Sequence, residues 1–172
     1  MTFHGDARLP RSDADGCLSL NTTVPGSGAS TLATDASDEA LAVARGNAER
    51  LGLANVEFLR ADWYAGVAVT RFDLIAANPP YVDPGDPHLA EGDVRFEPRA
   101  ALVPAGGGLA ALRAIVAEAP SHLVPGGTLA VEHGYDQQEA VRALFVAAGF
   151  ADVVSARDLA GIPRVAAGRT PV

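Results

Sequence analysis

From Thr31 onward, short apolar runs alternate with longer stretches in which apolar residues recur every three or four positions. That alternation of strands and helices predicts one α/β domain, a mostly parallel sheet with helices on its faces. Strands are predicted at 31–34, 56–60, 72–77 and 129–131. A terminal antiparallel pair is predicted at 152–158 and 164–168, joined around Gly161-Ile162-Pro163. Ser37 is placed to cap a helix whose first turn carries Asp38 and Glu39, where the helix dipole favours negative charge. Leu41, Ala44, Ala48 and Leu51 fall on one face of that helix, and Gly52 stands where it should stop. Further helices are predicted at 109–119 and 137–148, the second closed by Gly149. Between them and the third strand, residues 82–108 are rich in Pro, Gly and charge without a sustained period. A loop that long in a compact domain is usually functional, and because it follows Tyr81 directly it is read as a lid.

The first thirty residues break the pattern. Residues 1–16 are polar and offer no apolar run for a central strand, so residues 1–30 are expected to be irregular, or a degenerate first strand and loop, ahead of a domain over 31–172.

Composition narrows the function class. The chain has 172 residues, 48% of them hydrophobic, enough for a core in one domain. A net charge of −8 argues against a broad basic face for nucleic acid. The single cysteine, Cys17, rules out an internal disulfide framework and a cysteine-rich metal site, and fits a reducing cytosol. With no apolar run of membrane-spanning or signal-peptide length, a cytoplasmic protein without a membrane role is expected.

Candidate chemistry collects at predicted strand ends. Asn78-Pro79-Pro80-Tyr81 follows the apolar run 72–77 directly. Neither proline has an N–H to donate, and the first pushes Asn78 toward an extended conformation. The junction is therefore rich in acceptors beside a flat ring, a combination suited to gripping a planar –NH2 group. Asn-Pro and Pro-Pro also punctuate ordinary turns, but ligands of open α/β sheets bind outside the carboxyl ends of the strands, where this junction lies. Asp35 closes the strand before the first helix, where a carboxylate either accepts hydrogen bonds from ribose hydroxyls or simply caps the helix. Asp62-Trp63 follows the next strand, where a carboxylate can accept from an exocyclic amine while a ring packs on the base. Together these three ends describe a nucleoside pocket beside an amide-nitrogen pocket.

Thr34-Asp35-Ala36-Ser37, Arg60-Ala61-Asp62-Trp63, Asn78-Pro79-Pro80-Tyr81, Asp86-Pro87-His88-Leu89, the Arg95-Phe96-Glu97-Pro98 end of the lid and Val131-Glu132-His133-Gly134 resemble the catalytic domain of the peptide chain release factor glutamine N-methyltransferases, the HemK family. The resemblance runs from about 31 to 168. It implies a Rossmann-like S-adenosylmethionine-dependent methyltransferase fold, S-adenosylmethionine as cofactor and no metal. The implied substrate is the glutamine of a release factor's Gly-Gly-Gln loop. By the same resemblance Asp35 would hold the ribose hydroxyls, and Asp62 and Trp63 the adenine side. Asn78 and Tyr81 would be catalytic: Asn78 would lie between cofactor and glutamine amide, with Pro79, Pro80 and Tyr81 completing the substrate grip. His133 is read as structural, and a monomer is expected.

Two features depart from the family pattern. The family's separate N-terminal helical domain is expected to be missing, and the glycine-rich loop after the first strand is degenerate. One register puts Ser12-Asp13-Ala14-Asp15 in place of that loop, ahead of Gly16. The other uses Gly26-Ser27-Gly28 after a strand at 18–24, leaving too few residues before Asp35 for a parallel crossover, which needs a dozen or more. Two alternatives remain from the sequence: a methyltransferase acting on adenine or cytosine amino groups of nucleic acid, and a truncated relative unable to bind cofactor.

Overall fold

In a computed structural model the described residues are 17–21, 30–68, 71–81 and 108–172. The expected lid over 82–107, including Asp86-Pro87-His88-Leu89, Arg95 and Glu97, lies outside them, as do residues 1–16 and Gly26-Ser27-Gly28.

The described residues form a seven-stranded sheet in the order β3-β2-β1-β4-β5-β7-β6. The strands are β1 (Cys17–Asn21), β2 (Thr31–Asp35), β3 (Val56–Arg60), β4 (Phe72–Asn78), β5 (Leu123–Glu132), β6 (Ala151–Arg157) and β7 (Pro163–Arg169). Among the described residues three helices accompany them, α1 (Asp38–Arg50), α2 (Ala110–His122) and α3 (Gln138–Ala147). β2 and β3 pair in parallel, as do β4 and β5, while β7 runs antiparallel to β5 and β6. The terminal strand pair is present as expected.

β1 is the departure. It lies between β2 and β4 and is antiparallel to both, with Cys17 opposite Asn78 and Asn21 opposite Thr31 and Leu74. The described part of the strand of the second glycine register therefore exists but runs in reverse. Chain length supplies the reason: the connection from Asn21 to Thr31 is too short for a parallel crossover but ample for antiparallel neighbours. β2, β3, β4, β5 and β6 still share one direction, so their carboxyl ends meet at one edge.

Local signals account for the helices. The Ser37 side chain accepts the Ala40 N–H at 3.2 Å, capping α1. At its far end Gly52 takes φ +68°, its N–H reaches Glu49 O and the Leu53 N–H reaches Ala48 O, a paired closure that needs a left-handed residue at Gly52. Gly149 closes α3 in the same way. Ala40, Leu41 and Ala48 are the buried residues of α1, whereas Leu51, expected on that face, is 55% exposed because the chain has already left the helix. α2 continues through Pro120 to His122, longer than expected.

The main core sits where α2 and α3 cover one face of the sheet. Ile75, Leu129 and Val131 from the strands meet Leu112, Ile115, Val116, Val141 and Phe145 from the helices, all at most 1% exposed. Tyr64 joins this core from the turn after β3: its hydroxyl donates to Ile115 O at 3.3 Å and its ring stacks on His122 at 4.5 Å. Burial first, and the Glu118 charge second, push the Tyr64 phenol well above its ordinary pKa, so it stays a neutral donor. Among the described residues no helix is long and apolar enough to cross a membrane.

Asp158 organises the β6–β7 turn. Its Oδ1 accepts the Ala160 and Ile162 N–H groups at 2.9 Å each, and its Oδ2 accepts Arg164 Nε at 3.2 Å. The Ile162 N–H foremost, with Arg164 and Ala160, holds the carboxyl below the usual carboxylate range. Its stabilisation is thus present above the unfolded value of about 3.9 and lost as pH falls through the lower folded value. Asp158→Asn is expected to melt below the wild type near neutral pH, with the gap narrowing as pH is lowered to about 3. A gap in melting temperature that stays constant across that range would contradict this account.

Candidate functional site at the carboxyl edge of the sheet

Three of the parallel strand ends carry the residues singled out in the sequence. Asp35 and Arg60 are register partners at the ends of β2 and β3, and the Ala61 N–H donates to Asp35 O at 3.0 Å. Leu18 of β1 faces Thr34 on one side and Ala77 on the other, so Asp35 and Asn78 stand level, two strands apart. That separation is about 10 Å across the sheet. The structure therefore brings Asp35, Asp62-Trp63 and Asn78-Pro79-Pro80-Tyr81 to one edge.

Each end is held differently. Asp35 is only 4% exposed and its Oδ1 accepts the Ser37 N–H at 2.8 Å. It supports the residue that caps α1, while Ser37 does the capping. Asp62 is exposed and starts a tight turn in which the Ala65 N–H returns to Asp62 O at 2.9 Å. Trp63 occupies that turn at φ +52°, a conformation unfavourable for a bulky side chain, and packs against the core. The buried Tyr64 ring anchors the turn, which fixes both neighbours. Asn78 is exposed at the end of β4, Pro79 and Pro80 are buried behind it, and Tyr81 is half-buried.

Side-chain alternation gives the sheet a second face here. Ile75, Ala77, Leu129 and Val131 point into the α2/α3 core; Ala76, Asn78, Ala130 and Glu132 point the other way. The small alanines leave a cavity of about 280 Å³ on that face, lined by Ala76, Ala130, Asn78, Glu132 and Val165 among others.

Glu132 joins the candidate site from the end of β5. The Tyr81 hydroxyl donates to its Oε1 at 2.8 Å, which ties the ring to the end of β5. Its sequence signals are its place in the Val131-Glu132-His133-Gly134 motif and at the end of the strand beside the Asn-Pro-Pro-Tyr strand. The adjoining His133 is fully buried, with Nδ1 2.8 Å from Gly134 O, and its Nε2 finds no partner among the described residues. Among the described residues its ring makes no hydrogen bond to the edge residues.

The chemistry of the set suits a nucleoside: a carboxylate at one strand end, a carboxylate and an indole at the next, and an amide with two prolines and a phenol at the third. The fit covers the adenosine side of S-adenosylmethionine. β1 presents its amino end, not a following loop, to this edge.

Comparison with known proteins identifies the family. The methyltransferase small domain family matches residues 14–110, more than half of the chain. The release factor glutamine methyltransferase of Bordetella pertussis is 51% identical over 161 residues, covering 93% of this chain and 59% of that protein. That of Xylella fastidiosa (strain Temecula1) is 50% identical over 143 residues, covering 83% of this chain and 52% of its own. The chain thus spans between half and three fifths of the length of these relatives. In fold, a methyltransferase from Pyrococcus furiosus superposes with a TM-score of 0.61 at 21% identity, covering 82% of this chain and 62% of that one. The chain belongs to the methyltransferase small domain family and is a relative of the release factor glutamine methyltransferases.

Proposed function

We propose that this domain transfers a methyl group from S-adenosylmethionine to the side-chain amide nitrogen of the glutamine in the Gly-Gly-Gln loop of a peptide chain release factor, working as a monomer in the cytoplasm. The observation that carries the reading is the exposed Asn78 at the end of β4, backed by buried Pro79 and Pro80 and flanked by a Tyr81 ring pinned to Glu132. The names of the relatives supply the substrate class.

When bound, S-adenosylmethionine supplies an activated methyl group on a sulfonium. Asp35 would accept from the ribose hydroxyls, and Asp62 with Trp63 would hold the adenine. The Asn78 side-chain oxygen and the Pro79 carbonyl would accept the two N–H bonds of the glutamine amide, orienting its nitrogen and raising its electron density. Tyr81 would pack on the amide plane, where its ring face favours nearby positive charge by about 0.5–2 kcal/mol. Alignment is the main contribution, since orientation of this kind can supply about 7–11 kcal/mol. No residue is assigned as general base, because the attacked nitrogen can release its proton to water after transfer.

One observation favours a second reading, a relative with an incomplete cofactor site. β1 ends at Asn21, at the sheet edge away from Asp35 and Asn78, so the chain after it leaves from the wrong side to form the family's glycine-rich loop. Calorimetric titration with S-adenosylmethionine separates the two, with micromolar binding expected for the methyltransferase. Mass spectrometry of a release factor incubated with both, alongside a DNA control, then tests the acceptor. A modified glutamine supports the proposal; no binding, or methylated DNA alone, overturns it.

A further inference from the structure

Tyr81 is tied to the sheet at a second point. The Gln137 side-chain Nε2 donates to Tyr81 O at 2.8 Å, and Gln137 Oε1 accepts the Gly134 N–H at 2.9 Å. The amide orientation follows from its partners: a carbonyl can only accept and an N–H can only donate. Two glycines make room for this amide. A Cβ on Gly108 would stand 2.7 Å from Tyr81 O and 2.8 Å from Gln137 Nε2, and one on Gly134 would stand 3.1 Å from Gln137 Cδ.

The bland role for Gln137 is to cap α3, whose N-cap position it occupies. An N-cap side chain ordinarily accepts an N–H from the first helical turn. Gln137 makes no such bond. Its side chain instead reaches a carbonyl 56 residues earlier in the chain. Phenol and carbonyl of Tyr81 are thus fixed to the end of β5 through Glu132 and to the start of α3 through Gln137.

From this geometry we infer that Gln137 is a positioning residue, which sets the Asn78-Pro79-Pro80-Tyr81 loop at the height that catalysis requires without touching substrate. The inference rests on the methyl-transfer reading for its consequence, though not for the clamp itself. A loop displaced by about 1 Å can cost on the order of 10²-fold in turnover. Gln137→Met keeps the length of the side chain and removes both hydrogen bonds. Gln137→Glu keeps the acceptor for Gly134 and loses the donor to Tyr81 O, until its carboxyl is protonated and can donate again.

The test uses 13Cζ-labelled tyrosine in the full chain, whose three tyrosines give few signals, with Tyr81→Phe to assign one of them. In Gln137→Met the Tyr81 signal is expected to move. In Gln137→Glu it is expected to move near pH 8 and return toward the wild-type position as pH falls toward about 4. Glu132, His133 and Asp136 beside the clamp and Glu139 in the first turn of α3 are ionisable too, so each spectrum is compared with wild type at the same pH. Where wild type methylates a release factor, both variants should lose about 10²-fold in kcat at pH 8 with S-adenosylmethionine affinity within about 2-fold. An unmoved Tyr81 signal in both variants, or full turnover in an active background, overturns the inference. If the signals respond but wild type is inactive on the release factor, the clamp stands and the proposed function falls.

Discussion

Replacing Asn78 with alanine is expected to lower methyl transfer to a release-factor glutamine by at least about 10²-fold, the scale seen when one preorganised hydrogen-bonding group is removed from an active site. Affinity for S-adenosylmethionine should change little. The two outcomes separate because Asn78 is exposed at the end of β4 and sits level with Asp35 without being part of its support. Ser37 and the β2–β3 pairing hold Asp35. Single-turnover kinetics with calorimetry on the same variant gives both numbers. Near-normal turnover would remove Asn78 from the acceptor grip, and a matching loss of cofactor binding would move it to the other half of the site.

Phe145→Ala carries the largest expected effect on stability. The ring is fully buried, lies 5.1 Å from the Phe150 centroid and presses on Gly168, where a Cβ would stand 2.8 Å from Phe145 Cδ1. The β7 backbone is therefore packed directly against it, and glycine at 168 leaves no side chain to collapse into the space. Removal should cost about 3–5 kcal/mol, a large part of a typical total of about 5–15 kcal/mol. Urea unfolding should show a lower midpoint with an unchanged slope. A loss under about 1 kcal/mol would mean that α3 and β7 close the gap by shifting.

Local signals were legible and long-range ones were not. The strands at 31–35 and 56–60, the Ser37 cap and the two glycine-closed helix ends follow from residues within a few positions of each other, so the sequence states them outright. β5 starts at Leu123, well before the expected 129, and takes up Pro125-Gly126-Gly127 through a register shift opposite Phe72 and Leu74. Apolar alternation over Cys17-Leu18-Ser19-Leu20-Asn21 marks a strand but carries no direction. Direction is set by the length of the connection to Thr31 and by the slot between β2 and β4. In the candidate site, the strand-end clusters could be picked out because each is contiguous. The bonds of Glu132 and Gln137 to Tyr81 could not, since they span 51 and 56 residues.

The reversed β1 also decides where cargo can be attached to this domain. Cys17 lies opposite Asn78, so a fusion partner joined immediately ahead of this strand starts beside the candidate site and crowds whatever approaches Asn78. At the other terminus, Pro171 accepts a hydrogen bond from Gly126 and Val172 lies against that glycine, ahead of the stretch of β5 that pairs from Leu74 onward. A fluorophore, affinity handle or surface tether placed after Val172 leaves the approach to Asn78 open.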